Sequence, residues 1–189
     1  KNEGCFIDVG AHTGLYSLTA IKANSKNNVI SIEPYFMNLS RLITNLRLNN
    51  IYENVTTIMG AVSNFNGKSK FNITTEKSYM SKGGKISDNG LDIDVYQLDS
   101  LYSKITNKQI KGIKIDTEGE DYKVLKGSQK IIEKYKPEII IEVREENKIL
   151  IGNFLNKYSY RFFDVLDLKK ELNLQNYKIK NIINLYAKV

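Results

Sequence analysis

Two carboxylates, Asp8 and Glu33, each close an apolar run, and the glycine-bounded turn Gly10-Ala11-His12-Thr13-Gly14 follows the first of them. Glycine lets a backbone pass close to a ligand and adopt positive φ. The start of the helix after such a turn offers unpaired N–H groups and the positive end of a dipole, which suits a phosphate or a carboxylate. An acid about two dozen residues further on, at the end of the next strand, can accept hydrogen bonds from both hydroxyls of a ribose. A dinucleotide fingerprint needs Gly-x-Gly-x-x-Gly, and His12 stands in the place of its second glycine. The spacing therefore points away from NAD and toward S-adenosylmethionine, whose methionine carboxylate suits the turn. Asp8 is placed to order the turn or to meet the methionine ammonium group, directly or through water.

Further chemistry follows along the chain. Pro34 and Tyr35 come after Glu33 and are expected to shape an adenine pocket, with Asn38 as a helper only. Gly60-Ala61-Val62 would end the third strand at the adenine edge, where contact must come from backbone groups because no acid stands there. Asp116 and Glu118 follow the fourth core strand, and Glu142 lies near the end of the fifth. A carboxylate there can take the proton of an acceptor hydroxyl during methyl transfer. Asp116 can equally contact a methionine ammonium, and Glu118 or Glu120 can equally serve as an acid at a helix N-terminus. Three carboxylates at one edge can also hold a divalent cation, but no metal ligands are assigned. His12 is the chain's single histidine, so it is a third candidate base or a cofactor contact, and a histidine-cluster metal site is excluded. Lys111 and Lys114 flank the fourth core strand and are expected to be solvated, with contact to an anionic substrate as the alternative. Tyr16, Tyr35 and Tyr79 can stack on a base or sugar, or simply pack in the core or at a rim.

These residues need a sheet whose carboxyl edges converge. Apolar runs alternate with helix-period stretches almost throughout, the pattern of a mainly parallel sheet. Strands are predicted at Cys5–Val9, Val29–Ile32, Val55–Met59, Ile113–Ile115 and Glu138–Val143. Helices are predicted at Leu15–Ala23, around Phe36–Leu46, as one element bearing Val124, Ser128, Ile131 and Tyr135, and at Ile149–Tyr158. Arg161–Val165 and Ile183–Ala187 read as the last strands, paired antiparallel across the polar connection Asp167–Lys180. Residues 65–95 read as a β-rich insertion before the fourth core strand. In it, Lys70–Thr74 and Leu91–Val95 alternate like strands, and polar Glu76–Gly90 reads as a mobile loop. The insertion is expected near the cofactor mouth, placed to gate it.

The 189 residues suffice for one α/β domain. A net charge of +7 comes from lysines scattered through every segment, without an arginine-rich, aromatic-interleaved block that would mark a nucleic-acid surface. No apolar run approaches a membrane span of about twenty residues. The lone Cys5 cannot form an internal disulfide, in keeping with a reducing, cytoplasmic setting. The chain opens at Lys1 and its first strand starts almost at once, so an N-terminal part of the full protein is expected to be missing.

With these residues in view, the sequence resembles the FkbM-type family of S-adenosylmethionine-dependent methyltransferases. Three segments carry the likeness: Ile7–Leu18, Ile32–Asn50, and the pair Lys114–Gly127 with Pro137–Val143. The resemblance implies a single Rossmann-like class I methyltransferase domain over residues 1–189. It also implies a seven-stranded sheet in the order 3-2-1-4-5-7-6, S-adenosylhomocysteine as product, and O-methylation of a small-molecule or glycan hydroxyl. An RNA methyltransferase is the first alternative, disfavoured because Asp-Thr-Glu-Gly stands where base N-methylation uses an Asn-Pro-Pro-Tyr-like tetrad. A non-catalytic module that binds the cofactor or a protein partner is the second.

Overall fold

The computed structural model describes residues 3–73, 83–106 and 108–189. The chain runs β1 (Cys5–Val9), α1 (Leu15–Ala23), β2 (Asn28–Glu33), α2 (Phe36–Leu48), a 3-10 turn (Tyr52–Asn54), β3 (Val55–Met59) and β4 (Ala61–Val62). It continues through β5 (Gly67–Ile73), β6 (Gly84–Ser87), β7 (Leu91–Tyr96), α3 (Leu98–Ile105), β8 (Ile110–Ile115), α4 (Asp121–Lys126) and α5 (Gln129–Tyr135). It closes with β9 (Glu138–Val143), α6 (Lys148–Asn156), β10 (Arg161–Asp164), β11 (Asp167–Glu171) and β12 (Ile183–Lys188).

The main sheet has the order β3-β2-β1-β8-β9-β12-β10-β11. The first five of these strands are mutually parallel, and β12 runs antiparallel to both β9 and β10. Alternation within each strand sends its side chains to two layers. Ile7, Val9, Ile113, Ile115, Ile139, Ile141 and Val143 join the larger core with Val124, Leu125, Ile132 and Leu155 of α4, α5 and α6. Val29 and Val55 instead join Ile21, Leu42 and Leu46 beneath α1 and α2. Each fully buried isoleucine or leucine contributes about 1.5–3 kcal/mol, so the central strands are fixed well below the loops that line their carboxyl ends.

The expected order holds, but the sheet has eight strands where seven were expected. The extra one is β11, which pairs with β10 at the edge. All five of its residues are exposed, and a strand without a buried face leaves no hydrophobic alternation to read. The antiparallel pairing of the last strands is present, with Phe163 opposite Tyr186. The single helix expected after β8 is two, α4 and α5, broken at Gly127 and Ser128. Asp99 caps the second of them by accepting the Lys130 and Ile131 N–H groups at 2.9 and 3.0 Å. Helix α3, which carries that aspartate, went unassigned in the sequence.

Ala61 and Val62 do not prolong β3. They pair with Val95 and Tyr96 of β7 in a second sheet ordered β4-β7-β5-β6. The chain changes sheets at Gly60, where a Cβ would lie 2.7 Å from the Tyr96 ring and 3.0 Å from the Asp94 carbonyl oxygen. Part of the stretch read as a loop is also strand: Lys85, Ile86 and Ser87 pair with Asn72, Phe71 and Lys70. Residues 74–82, Tyr79 among them, lie outside the described residues.

Gly10 is where the two halves of the main sheet meet. Its φ is +71°, and a Cβ there would stand 1.9 Å from the Asp116 carbonyl oxygen. Gly119 also has positive φ, +109°, but a Cβ on it meets nothing within 4 Å. Gly10→Ala is therefore expected to destabilise the fold by about 3 kcal/mol or more, and Gly119→Ala by about 1 kcal/mol, in urea unfolding. Equal costs would contradict the close approach.

Candidate active site

Helix α1 starts from Gly14, which has φ +89° and provides no side-chain cap. The cap comes from β1 instead. Asp8 Oδ2 accepts the Ser17 N–H at 3.0 Å and the Ser17 hydroxyl at 2.6 Å. The Ser17 hydroxyl also lies 2.7 Å from that of Ser31 on β2. All three residues are fully buried. Asp8 thus orders the turn from behind; neither it nor Gly14 lines the cleft described below. With the Ser17 N–H taken, the N–H groups of Leu15 and Tyr16 are first-turn donors without a helical acceptor, and both residues line the cleft.

Glu33 ends β2 with 5% of its surface exposed. Its Oε2 accepts the His12 N–H at 2.9 Å, and its Oε1 accepts the Tyr35 N–H at 2.9 Å. The amide of Asn38 approaches Oε1 at 3.4 Å. The carboxylate is therefore aimed by the backbones of the loops on either side of it. His12 sits at φ +50°, and its unusual backbone conformation is what turns its N–H onto Glu33. Tyr35 packs edge-on against Phe36, with ring centroids 5.2 Å apart.

The segment after β8 holds the third group of acids. Asp121, fully buried at the start of α4, gathers the preceding loop. Its carboxylate accepts the Thr117 N–H at 3.0 Å, the Thr117 hydroxyl at 3.1 Å and the Gly119 N–H at 3.2 Å. Glu118 has φ +53°, and its Oε2 pairs with Arg144 at 3.0 Å. Arg144 also grips Glu142 Oε1 with two N–H groups, at 3.0 and 2.7 Å. Glu120 accepts the Ser63 hydroxyl at 2.9 Å and pairs with Lys123 at 2.8 Å. Asp116 lies 3.5 Å from the Lys114 ammonium. Lys114 itself is 4% exposed, which corrects the expectation of a solvated lysine. In the parallel register it lies opposite Asp8, so it points under the turn, whereas Lys111 is exposed.

A cleft of about 600 Å³ joins these groups. Of the residues singled out in the sequence, Gly10, His12, Thr13, Glu33, Pro34, Asn38, Gly60, Ala61, Asp116 and Glu118 line it, with Tyr16 beside them. Phe71, Gly83, Gly84, Lys85 and Ile86 of the second sheet and its approach form the facing wall. Glu142 does not line it, and Tyr35 lies off it. Asn38 Oδ1 is buried there with no hydrogen-bond partner among the described residues. No three histidine, cysteine, aspartate or glutamate side chains converge as metal ligands among the described residues; Arg144 occupies the space between Glu118 and Glu142. No helix among those residues is long and apolar enough to cross a membrane.

Sequence reasoning missed Ser17, Asp121 and Arg144. Asp121 carried a readable signal, an acid in a helical first turn. Arg144 carried only its position two residues after Glu142.

The model of the methyltransferase FkbM domain matches residues 8–179. The chain belongs to this family. An FkbM methyltransferase from Methylobacillus flagellatus KT superposes with a TM-score of 0.66 at 20% identity, covering 99% of this chain and 44% of that one. The present chain thus spans less than half the length of that FkbM relative. A precorrin-6y C5,15-methyltransferase from Geobacter metallireducens GS-15 gives 0.59 at 10% identity, covering 100% of this chain and 81% of that one. The N-terminal domain of human METTL16 gives 0.56 at 11% identity, with 99% and 61% covered. At these identities the likeness speaks for the fold alone. No curated protein matches the sequence.

Burial pushes the carboxyl groups of Asp8, Glu33 and Asp121 above the ordinary carboxylate range. At Asp8 the Lys114 charge and the Ser17 hydrogen bonds oppose that rise without cancelling it. A group with a raised folded pKa gives its full stabilisation below its unfolded pKa and loses it as pH climbs through the folded value. The FkbM fold is therefore expected to melt at lower temperature as pH rises above the unfolded carboxylate value of about 4. Glu33→Gln should flatten that slope. Circular dichroism melts check both, and a melting temperature that rises over that range contradicts the assignment.

Proposed function

We propose that this FkbM domain is the core of an S-adenosylmethionine-dependent O-methyltransferase that acts on a hydroxyl of a small molecule or glycan. The observation that carries the reading is Glu33. An ionised carboxylate oxygen can accept two hydrogen bonds, and each oxygen of Glu33 already takes one backbone N–H. Oε2 keeps acceptor capacity at the cleft for one hydroxyl, and the long 3.4 Å contact from the Asn38 amide to Oε1 can give way to a second, vicinal one. Other residues fit the rest of such a cofactor. The Leu15 and Tyr16 N–H groups suit a carboxylate at a helix start, and the buried, unpartnered Asn38 Oδ1 offers an acceptor. Gly60 and Ala61 line the cleft without a charge of their own.

When bound, the cofactor supplies an electrophilic methyl carbon on a sulfonium centre. The chain's part is to orient the acceptor hydroxyl and to remove its proton as the new C–O bond forms. Asp116 is the residue we assign to that proton. It lines the cleft, whereas Glu118 and Glu142 are both committed to Arg144. Lys85 and Ile86 on the facing wall would help to exclude water from the reacting groups.

S-adenosylhomocysteine is expected to raise the melting temperature and NAD to leave it unchanged. Glu33→Ala should abolish the rise; a surviving rise removes the ribose assignment. Labelled S-adenosylmethionine offered to glycans, small hydroxylated compounds and RNA then identifies the acceptor. Labelling of RNA alone would replace the hydroxyl reading, and labelling of nothing despite cofactor binding would favour a binding module. With the acceptor found, Asp116→Asn should slow transfer by about 10²–10⁴-fold with cofactor affinity retained, and Glu118→Gln should slow it less.

A further inference from the structure

Lys114 is a buried cation at the junction of the Gly10 turn and strand β8. It lies in the middle of the sheet at 4% exposure. An uncharged chain of similar length would fill the space without the desolvation cost of a buried ammonium. Its surroundings account for the charge. The ammonium donates to the Gly10 carbonyl oxygen at 2.8 Å. It lies 3.7 Å from Asp8 Oδ1 and 3.5 Å from Asp116 Oδ2. It also sits 5.3 Å from the centroid of the Tyr16 ring. One group therefore touches β1, the turn, the first turn of α1 and the segment after β8. Gly10, Tyr16 and Asp116 all line the cleft.

We propose that Lys114 is a positioning residue for the cofactor's amino-acid end, clamping the Gly10 turn to strand β8 and fixing the Asp116 carboxylate beside it. The inference rests on the cofactor reading above. The Gly10 carbonyl held by Lys114 belongs to the same turn that ends at Gly14 and starts α1. Releasing it would loosen the donors at Leu15 and Tyr16 that face a carboxylate. Glu33 is aimed independently, by the N–H groups of His12 and Tyr35. Loss of Lys114 should therefore harm the amino-acid end and spare the nucleoside end.

The test uses calorimetry with two probes, S-adenosylhomocysteine and methylthioadenosine, which shares the nucleoside but lacks the amino-acid group. Lys114→Met should weaken S-adenosylhomocysteine by about tenfold or more and leave methylthioadenosine within about twofold. Because that variant strands the Asp8 charge, Asp8→Asn combined with Lys114→Met is the second arm. It should recover thermal stability without recovering S-adenosylhomocysteine affinity. If Lys114→Met does not fold, the double variant carries the comparison alone. Equal weakening of both probes, or native affinity in either variant, overturns the inference and leaves the cofactor reading standing. A native protein that binds neither probe overturns both.

Discussion

The Asp116 carbonyl oxygen occupies the place that a side chain on residue 10 would need. This contact brings the end of β8 against the turn after β1 so closely that only bare backbone fits between them. The Asp116 N–H closes the junction from the other side by donating to Val9 O at 3.2 Å. Lys114 ties it a third time through the Gly10 carbonyl. The cleft opens directly above this junction and takes its floor from it. The approach of the turn to Asp116 thus rests on close backbone contacts, which tolerate little adjustment, with the Lys114 side chain as a further tie.

The same economy governs the start of α1. A helix leaves its first N–H groups without internal partners, and Gly14 offers no side chain to satisfy them. Asp8 reaches across from β1 and takes the Ser17 N–H, with Ser31 completing a buried polar cluster. A buried carboxylate is costly to ionise, and the raised direction of the Asp8 pKa reflects this. The arrangement divides the helix's donors between two tasks. Ser17 anchors the helix to the sheet, and Leu15 and Tyr16, which line the cleft, keep first-turn donors without a helical acceptor.

The frame was legible because β1, β2 and β9 carry apolar runs, and β8 was read from the alternating Ile113 and Ile115. Asp8 and Glu33 were legible because an acid ends an apolar run, and Asp116 because an acid follows a strand end. What escaped had no such signature. Strand β11 is exposed throughout, β4 is two residues long, and β6 lies in a polar stretch whose pairing partner is distant in sequence. Lys114 was misread because lysine is nearly always solvated. Its burial follows from register, opposite Asp8 and beneath the turn, and register is a tertiary fact. The role of Asp8 remained double in the sequence because a strand-end acid can face the turn or the ligand. The Ser17 partner that decides it lies nine residues away on a helix face.

The acids around the cleft are each held in place by other groups of the protein. Glu33 is aimed by two backbone N–H groups, Glu118 by Arg144, Glu120 by Ser63 and Lys123, and Asp116 by Lys114. Asp121 in turn fixes the loop that carries Glu118. The orienting groups lie in strands and helices of the fold or in the turns directly beside them, so the carboxylates are aimed by the protein itself. Groups oriented in advance lose little entropy on binding and act at full strength on charge that develops in a reaction. Asn38 Oδ1 is the exception, a buried acceptor on the cleft wall left without a partner among the described residues. A buried acceptor gains a hydrogen bond when a donor reaches it, and the adenosyl cofactor we propose carries donors that could do so.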